Sequence, residues 1–148
     1  MTPTQMTTST PNKEYKILIA EDDPATQRLY QRLLEPFAKL IILSDGKQAQ
    51  ETLTHTQDYN LIITDNNMPL FGGLELLASL PKTITIPRVM ISSTLDHIEL
   101  HQEVQQHGAL GLYQKPLNCI NEFRTIVHEL LKDGHSPTLH AYFEKNYN

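Results

Sequence analysis

Lys16-Ile17-Leu18-Ile19-Ala20-Glu21-Asp22-Asp23-Pro24 is the stretch that decides the fold. An apolar run ends in three acids, and a proline follows. Ile17 to Ala20 show no apolar–polar alternation, so the run suits a strand buried on both faces of a parallel sheet. Asp23-Pro24 suits a helix start, because the carboxylate caps the first turn and proline fits the first helical position. Ala25, Leu29 and Leu33 then recur every four residues as one apolar helix stripe.

The same pattern repeats along the chain. Leu40–Leu43, Leu61–Thr64, Arg88–Ser92 and Leu110–Gln114 read as further strands. A helical pattern runs from Gly46 to about Gln57, with Ala49 and Leu53 inward. Leu74, Leu76, Leu77 and Leu80 mark a short helix, and Ile98, Leu100 and Val104 a weaker one over Asp96–His107. The last strong helix spans about Asn118 to Lys132, with Ile120, Phe123, Ile126, Val127, Leu130 and Leu131 as its stripe. Asp133-Gly134 stops it. Five strands alternating with five helices predict an α/β domain with a doubly wound five-stranded parallel sheet.

Length and composition agree with one domain. The chain has 148 residues, enough to bury a real core. Twelve Lys and Arg against seventeen Asp and Glu leave a charge of −5. No basic excess exists to neutralise phosphates, which argues against nucleic acid and anionic membranes as partners. The single cysteine, Cys119, excludes an internal disulfide and fits a reducing, cytoplasmic setting. No apolar run is long enough to span a bilayer, and no secretory signal is expected. Residues 1–14 read as a flexible tail and 15–132 as the domain. Residues 133–148 form a short C-terminal tail, either a docked helix or a mobile one, carrying Leu139, Tyr142 and Phe143.

Chemistry collects after the strands. Glu21, Asp22 and Asp23 follow the first, Asp65 ends the third, Ser92 and Ser93 the fourth, and Lys115 follows the fifth. In a parallel sheet these points share one edge, where open α/β folds bind ligands. Clustered carboxylates repel and raise each other's pKa unless a cation sits among them. An all-oxygen set of this kind suits Mg²⁺. A hydroxyl and an ammonium opposite would take two oxygens of a phosphoryl group. Asp65 is then the candidate nucleophile, with an aspartyl phosphate as product.

The constellation resembles a receiver domain of two-component response regulators. Leu18–Pro24 is similar to that family's first strand and acidic loop. Asp65-Asn66-Asn67-Met68-Pro69, continued by Gly73-Leu74-Glu75-Leu76-Leu77, is similar to its phosphoacceptor loop and third helix. Ile86–Ser93 resembles the fourth strand with its hydroxyl residue, and Gly108-Ala109-Leu110-Gly111 through Lys115-Pro116 resembles the fifth. The resemblance covers about residues 15 to 132 and implies a flavodoxin-like receiver fold. It implies Asp65 as phosphoacceptor, Asp22 as direct Mg²⁺ ligand, Glu21 as an acid acting through water, and Asn67 as a backbone-carbonyl ligand. It further implies that Ser92 and Lys115 bind phosphoryl oxygens and that the Lys115-Pro116 bond is cis. Asn67 and Thr94 occupy the positions that tune phosphoryl lifetime, here implying an intermediate one.

Three positions depart from the family pattern. Leu112 stands where an aromatic switch residue is usual, and Tyr113 points to the opposite face of a strand. Ser92 replaces the commoner threonine, and Gly72 predicts a looser loop. Ser92 and Leu112 are therefore the expected switch pair.

The resemblance implies a stand-alone phosphorelay protein rather than an enzyme. Its phosphoryl donor would be a sensor histidine kinase or a histidine phosphotransfer protein. Its downstream protein partner would meet the fourth helix, fifth strand and fifth helix, with a homodimer as another route. A phosphorylation-independent interaction module on the same fold is the alternative. An aspartate-nucleophile phosphatase of the haloacid dehalogenase type requires a second acid where Asn67 stands, and flavin binding lacks its phosphate loop. His97 and His101, four apart, read as exposed helix residues rather than metal ligands, and Cys119 as half-exposed.

Overall fold

The computed structural model describes residues 14–93, 97–115 and 119–147. The first 13 residues, Thr94 and the Lys115-Pro116 bond lie outside them, so the tail, lifetime and cis-bond expectations are not addressed. The elements run β1 (Lys16–Ala20), α1 (Pro24–Leu34), β2 (Lys39–Leu43), α2 (Gly46–His55), β3 (Leu61–Asp65) and α3 (Gly73–Ser79). They continue with β4 (Arg88–Ser92), α4 (His97–Gln106), β5 (Leu112–Gln114), α5 (Ile120–Asp133) and α6 (Pro137–Tyr147). The strands form one parallel sheet in the order β2-β1-β3-β4-β5.

Alternate residues of each strand feed opposite layers. Ile17, Ile19, Ile63, Val89, Ile91 and Tyr113 pack with Tyr30 and Leu34 of α1 and with Phe123, Ile126, Val127 and Leu130 of α5. On the other face, Leu18 and Ile62 meet Ala49 and Leu53 of α2 and Leu76 of α3. Met90 and Leu112 meet Leu77 of α3 and Val104 of α4. The unbroken apolar runs are thus explained: both faces are covered.

Local chemistry sets the element ends. Asp23 caps α1 by accepting from the Thr26 amide at 2.9 Å, and Asp45 caps α2 from the Gln48 amide at 2.8 Å. Gly134, in the left-handed region at φ 76°, ends α5 as expected. Arg88 is buried at the start of β4, where its guanidinium donates to the Ile84 and Ile86 carbonyls and staples the loop before the strand.

Several expectations need correction. Six helices occur among the described residues, not five. The C-terminal segment takes the docked alternative as α6, started by Ser136, whose Oγ accepts from the Leu139 amide at 2.9 Å. Ala25 is exposed, and the buried stripe of α1 is Tyr30, Leu33 and Leu34. Ile120, the first residue of α5, is 42% exposed and stands outside the buried stripe of Phe123, Ile126, Val127, Leu130 and Leu131. His101 is 6% exposed rather than a surface residue, since α6 covers it. Gly72 is not a loose point: its amide donates to Glu75 Oε1 at 2.8 Å, and a Cβ there would lie 2.8 Å from the Asn66 carbonyl. Among the described residues, no helix is long and apolar enough to cross a membrane.

Candidate functional site

The topology carries the acids to one place. β1 and β3 are adjacent and in register, Ala20 beside Thr64, so Glu21 and Asp65 emerge together. β4 and β5 bring Ser92 and Lys115 to the same end, where the Lys115 amide donates to the Ser92 carbonyl at 2.8 Å. The Lys115 Nζ lies 2.9 Å from Glu21 Oε1 and 3.2 Å from Asp65 Oδ1. Carboxylate oxygens of Glu21, Asp22 and Asp65 all lie within 4.8 Å of one another.

Burial makes this cluster electrostatically costly. Glu21 is 1% exposed and Asp65 5% exposed. Desolvation raises the pKa of both, and their contacts with Lys115 offset part of that rise. Burial works against the charge on Lys115, but its hydrogen bonds and attraction to Glu21 and Asp65 outweigh this and raise its pKa. Three ionised carboxylates against one ammonium leave two negative charges uncompensated. A divalent cation held by oxygen ligands balances that deficit, so the donor set fits Mg²⁺ or Mn²⁺.

The two buried acids are not equivalent. Glu21 Oε1 is held by Lys115, and Oε2 accepts from the Asp23 amide at 3.1 Å. Asp65 ends its strand at the mouth of the site, and the Thr64 hydroxyl donates to its carbonyl at 3.0 Å. The loop after it closes through Gly73, whose amide donates to the Asn66 carbonyl at 3.1 Å. A Cβ on Gly73 would sit 2.1 Å from the Asp65 carbonyl oxygen. Gly73→Ala should therefore push the Asp65 backbone aside and cost about 1–3 kcal/mol, read as a lower urea midpoint.

Ser92 is fully buried at this end, and Asn67 is exposed two residues after Asp65. Leu112 is buried in the α3–α4 layer, whereas Tyr113 faces α5 and donates to Glu122 at 2.6 Å. The opposite facing of these neighbours is as expected. Cys119 is free and exposed at the start of α5. His101 Nδ1 accepts from the Leu112 amide at 3.1 Å, and burial lowers its pKa, so it serves the fold as a neutral ring.

A sequence model for the response regulator receiver domain matches residues 17–128. The chain belongs to that family. The receiver is 30% identical over 112 residues to response regulator Rcp1 of Synechocystis, covering 70% of this chain and 72% of that protein. It is similar in structure to the receiver domain of Francisella response regulator 1452, with a TM-score of 0.71 and 31% identity over 82% of this chain and 99% of the other. It is also 28% identical over 109 residues to a protein-glutamate methylesterase/protein-glutamine glutaminase of Myxococcus xanthus, over 72% of this chain. The chain spans about a third or less of that protein and of two other curated relatives, so their further activities belong to segments beyond the match. Receivers are signalling domains, and the acids that the fold gathers here are a candidate metal centre.

Sequence reading left open whether Tyr142 docks on the domain, and it missed that His101 and Tyr147 also hold β5 from outside. Tyr147 Oη donates to the Leu112 carbonyl at 2.9 Å, and the Gln114 amide donates to Tyr142 Oη at 3.1 Å. A signal existed. Ser136-Pro137 is the same cap-plus-proline start as Asp23-Pro24, and it announces a helix.

Proposed function

We propose that this receiver accepts a phosphoryl group on Asp65 from a phosphohistidine on a partner kinase or phosphotransfer protein. A carboxylate oxygen of Asp65 attacks phosphorus in line, the P–N bond breaks, and the donor imidazole leaves with the electron pair. Lys115 neutralises one phosphoryl oxygen, and the Ser92 hydroxyl donates to another. Mg²⁺, held by Glu21, Asp22, Asp65 and the Asn67 carbonyl, supplies further charge neutralisation when bound. The observation that carries the reading is Lys115 bridging two buried acids beside a third. New charge on Asp65 then draws in Ser92 and moves β5, altering the face formed by α4, β5 and α5, where a downstream protein binds.

A phosphorylation-independent module remains the second reading, favoured by Leu112 at the switch position and by α6 lying on α4 and β5. Beryllofluoride with Mg²⁺, followed by NMR, separates the two. The expected result is saturable shifts at Ser92 and over Leu112–Lys115 that require Mg²⁺. Unchanged spectra would reject the phosphoacceptor reading and favour the second.

A further inference from the structure

β5 is the edge strand of the sheet. In a parallel ladder alternate residues turn their backbone groups outward, and an edge leaves those groups open to other chains. Here three of the four outward groups of Leu112 and Gln114 are held by side chains. The Leu112 amide donates to His101 Nδ1, the Leu112 carbonyl accepts from Tyr147, and the Gln114 amide donates to Tyr142. The rings follow the same line. His101 stacks on Tyr147 at 4.1 Å and lies 4.6 Å from Phe143, while Tyr142 lies 4.6 Å from Tyr113. Gly111 makes room for this, since a Cβ there would lie 2.4 Å from Phe143 Cζ.

α6 is docked without being embedded. Leu139 is its one buried residue, and Tyr142, Phe143 and Tyr147 stay half-buried. Its start is tied to α5 through Glu129, which accepts from Ser136 Oγ at 2.6 Å and from the Thr138 amide at 3.1 Å. The strand it grips leads straight into the site: Gln114 precedes Lys115, whose Nζ bridges Glu21 and Asp65.

We propose that α4 and β5 form a helix-docking surface with α6 as its resident ligand, and that phosphorylation of Asp65 lets a partner helix of the same aromatic chemistry replace α6. The linkage rests on the phosphoacceptor reading above. The partner's chemistry is given by α6: aromatic rings at the spacing of Tyr142, Phe143 and Tyr147, with phenolic hydroxyls for Gln114 and Leu112. A short tether gives α6 an effective concentration on the order of mM, so a separate helix with equal contacts loses the competition. Because the contacts are equal, modification of Asp65 has to act on the tether, moving β5 relative to the start of α6 that Glu129 anchors and lowering that effective concentration by a factor of roughly 5–150, the ordinary range of coupling between two sites.

The test uses the full chain and a fluorescent peptide of residues 135–148, with Mg²⁺, with or without beryllofluoride. Fluorine NMR reads beryllofluoride occupancy separately. The expected result is peptide affinity at least fivefold higher with beryllofluoride bound, and faster amide exchange in α6. The folded Phe143→Ala/Tyr147→Ala chain, with its own α6 weakened, should bind the peptide without beryllofluoride. Bound beryllofluoride with unchanged affinity and exchange would overturn the linkage. Failure of that folded variant to bind the peptide would overturn the docking surface. A missing fluorine signal would instead reject the functional reading and take the linkage with it, while the variant still decides the surface.

Discussion

Asp65→Ala should take phosphoryl incorporation from acetyl phosphate and Mg²⁺ from one group per chain to none, read by intact mass. The effect is all-or-none because, within the cluster, the Glu21 carboxylate is held by its partners and Asp22 is assigned to the metal. Glu21, the other buried carboxylate of the cluster, has one oxygen on Lys115 and the other on the Asp23 amide. Turning either oxygen outward would leave a half-buried ammonium or amide unpaired, which costs about 1 kcal/mol. Asp22 is half-buried at the mouth, and its part in the reading is to hold the metal. The fold should survive the substitution. Burial raises the Asp65 pKa, so its ionised form costs stability at neutral pH, and removing it relieves that cost while Lys115 keeps Glu21. A variant that melts no lower than the parent and takes no label is the expected pair of results. Label that persists on a folded variant would refute Asp65 as the acceptor.

The site was legible in sequence because each of its members sits at a strand end. Once Ile17–Ala20, Leu61–Thr64 and Arg88–Ser92 are read as parallel strands, topology alone gathers Glu21, Asp65 and Ser92. Periodicity does not report the sharing of Lys115 between two acids, which depends on side-chain reach across β1, β3 and β5. Helix α6 was hard to read for a different reason. Besides Leu139, its inward residues are Tyr142, Phe143 and Tyr147, half-buried rings that pair with His101 and with backbone polar groups as well as with the edge of the core. Such a helix has a weak apolar stripe, and the hydrophobic pattern that exposed α5 is absent from it. The misreading of His101 follows from this. On α4 alone it looks like a surface residue, and only the docking of α6 buries it.

Lys115→Met should cost stability in a pH-dependent way that separates electrostatics from packing. Lys115 holds down the pKa of both Glu21 and Asp65, against the burial that raises them. Without it both values rise further. A carboxyl whose folded pKa is raised above its unfolded value contributes stability below the unfolded pKa and loses it as pH rises through the folded one. The window therefore opens above the ordinary values of 3.8 and 4.5 and widens toward neutral pH. Below it all the acids are neutral, and the variant's deficit should nearly close. At neutral pH it should reach about 3 kcal/mol, the low end for breaking a buried pair, because the Lys115 side chain keeps 19% of its exposure. Urea midpoints measured without metal across this range give the curve. Added Mg²⁺ should recover more stability in the variant than in the parent, because no ammonium competes for the acids. A deficit that stays flat with pH would assign Lys115 a packing role and remove it from the charge balance of the site.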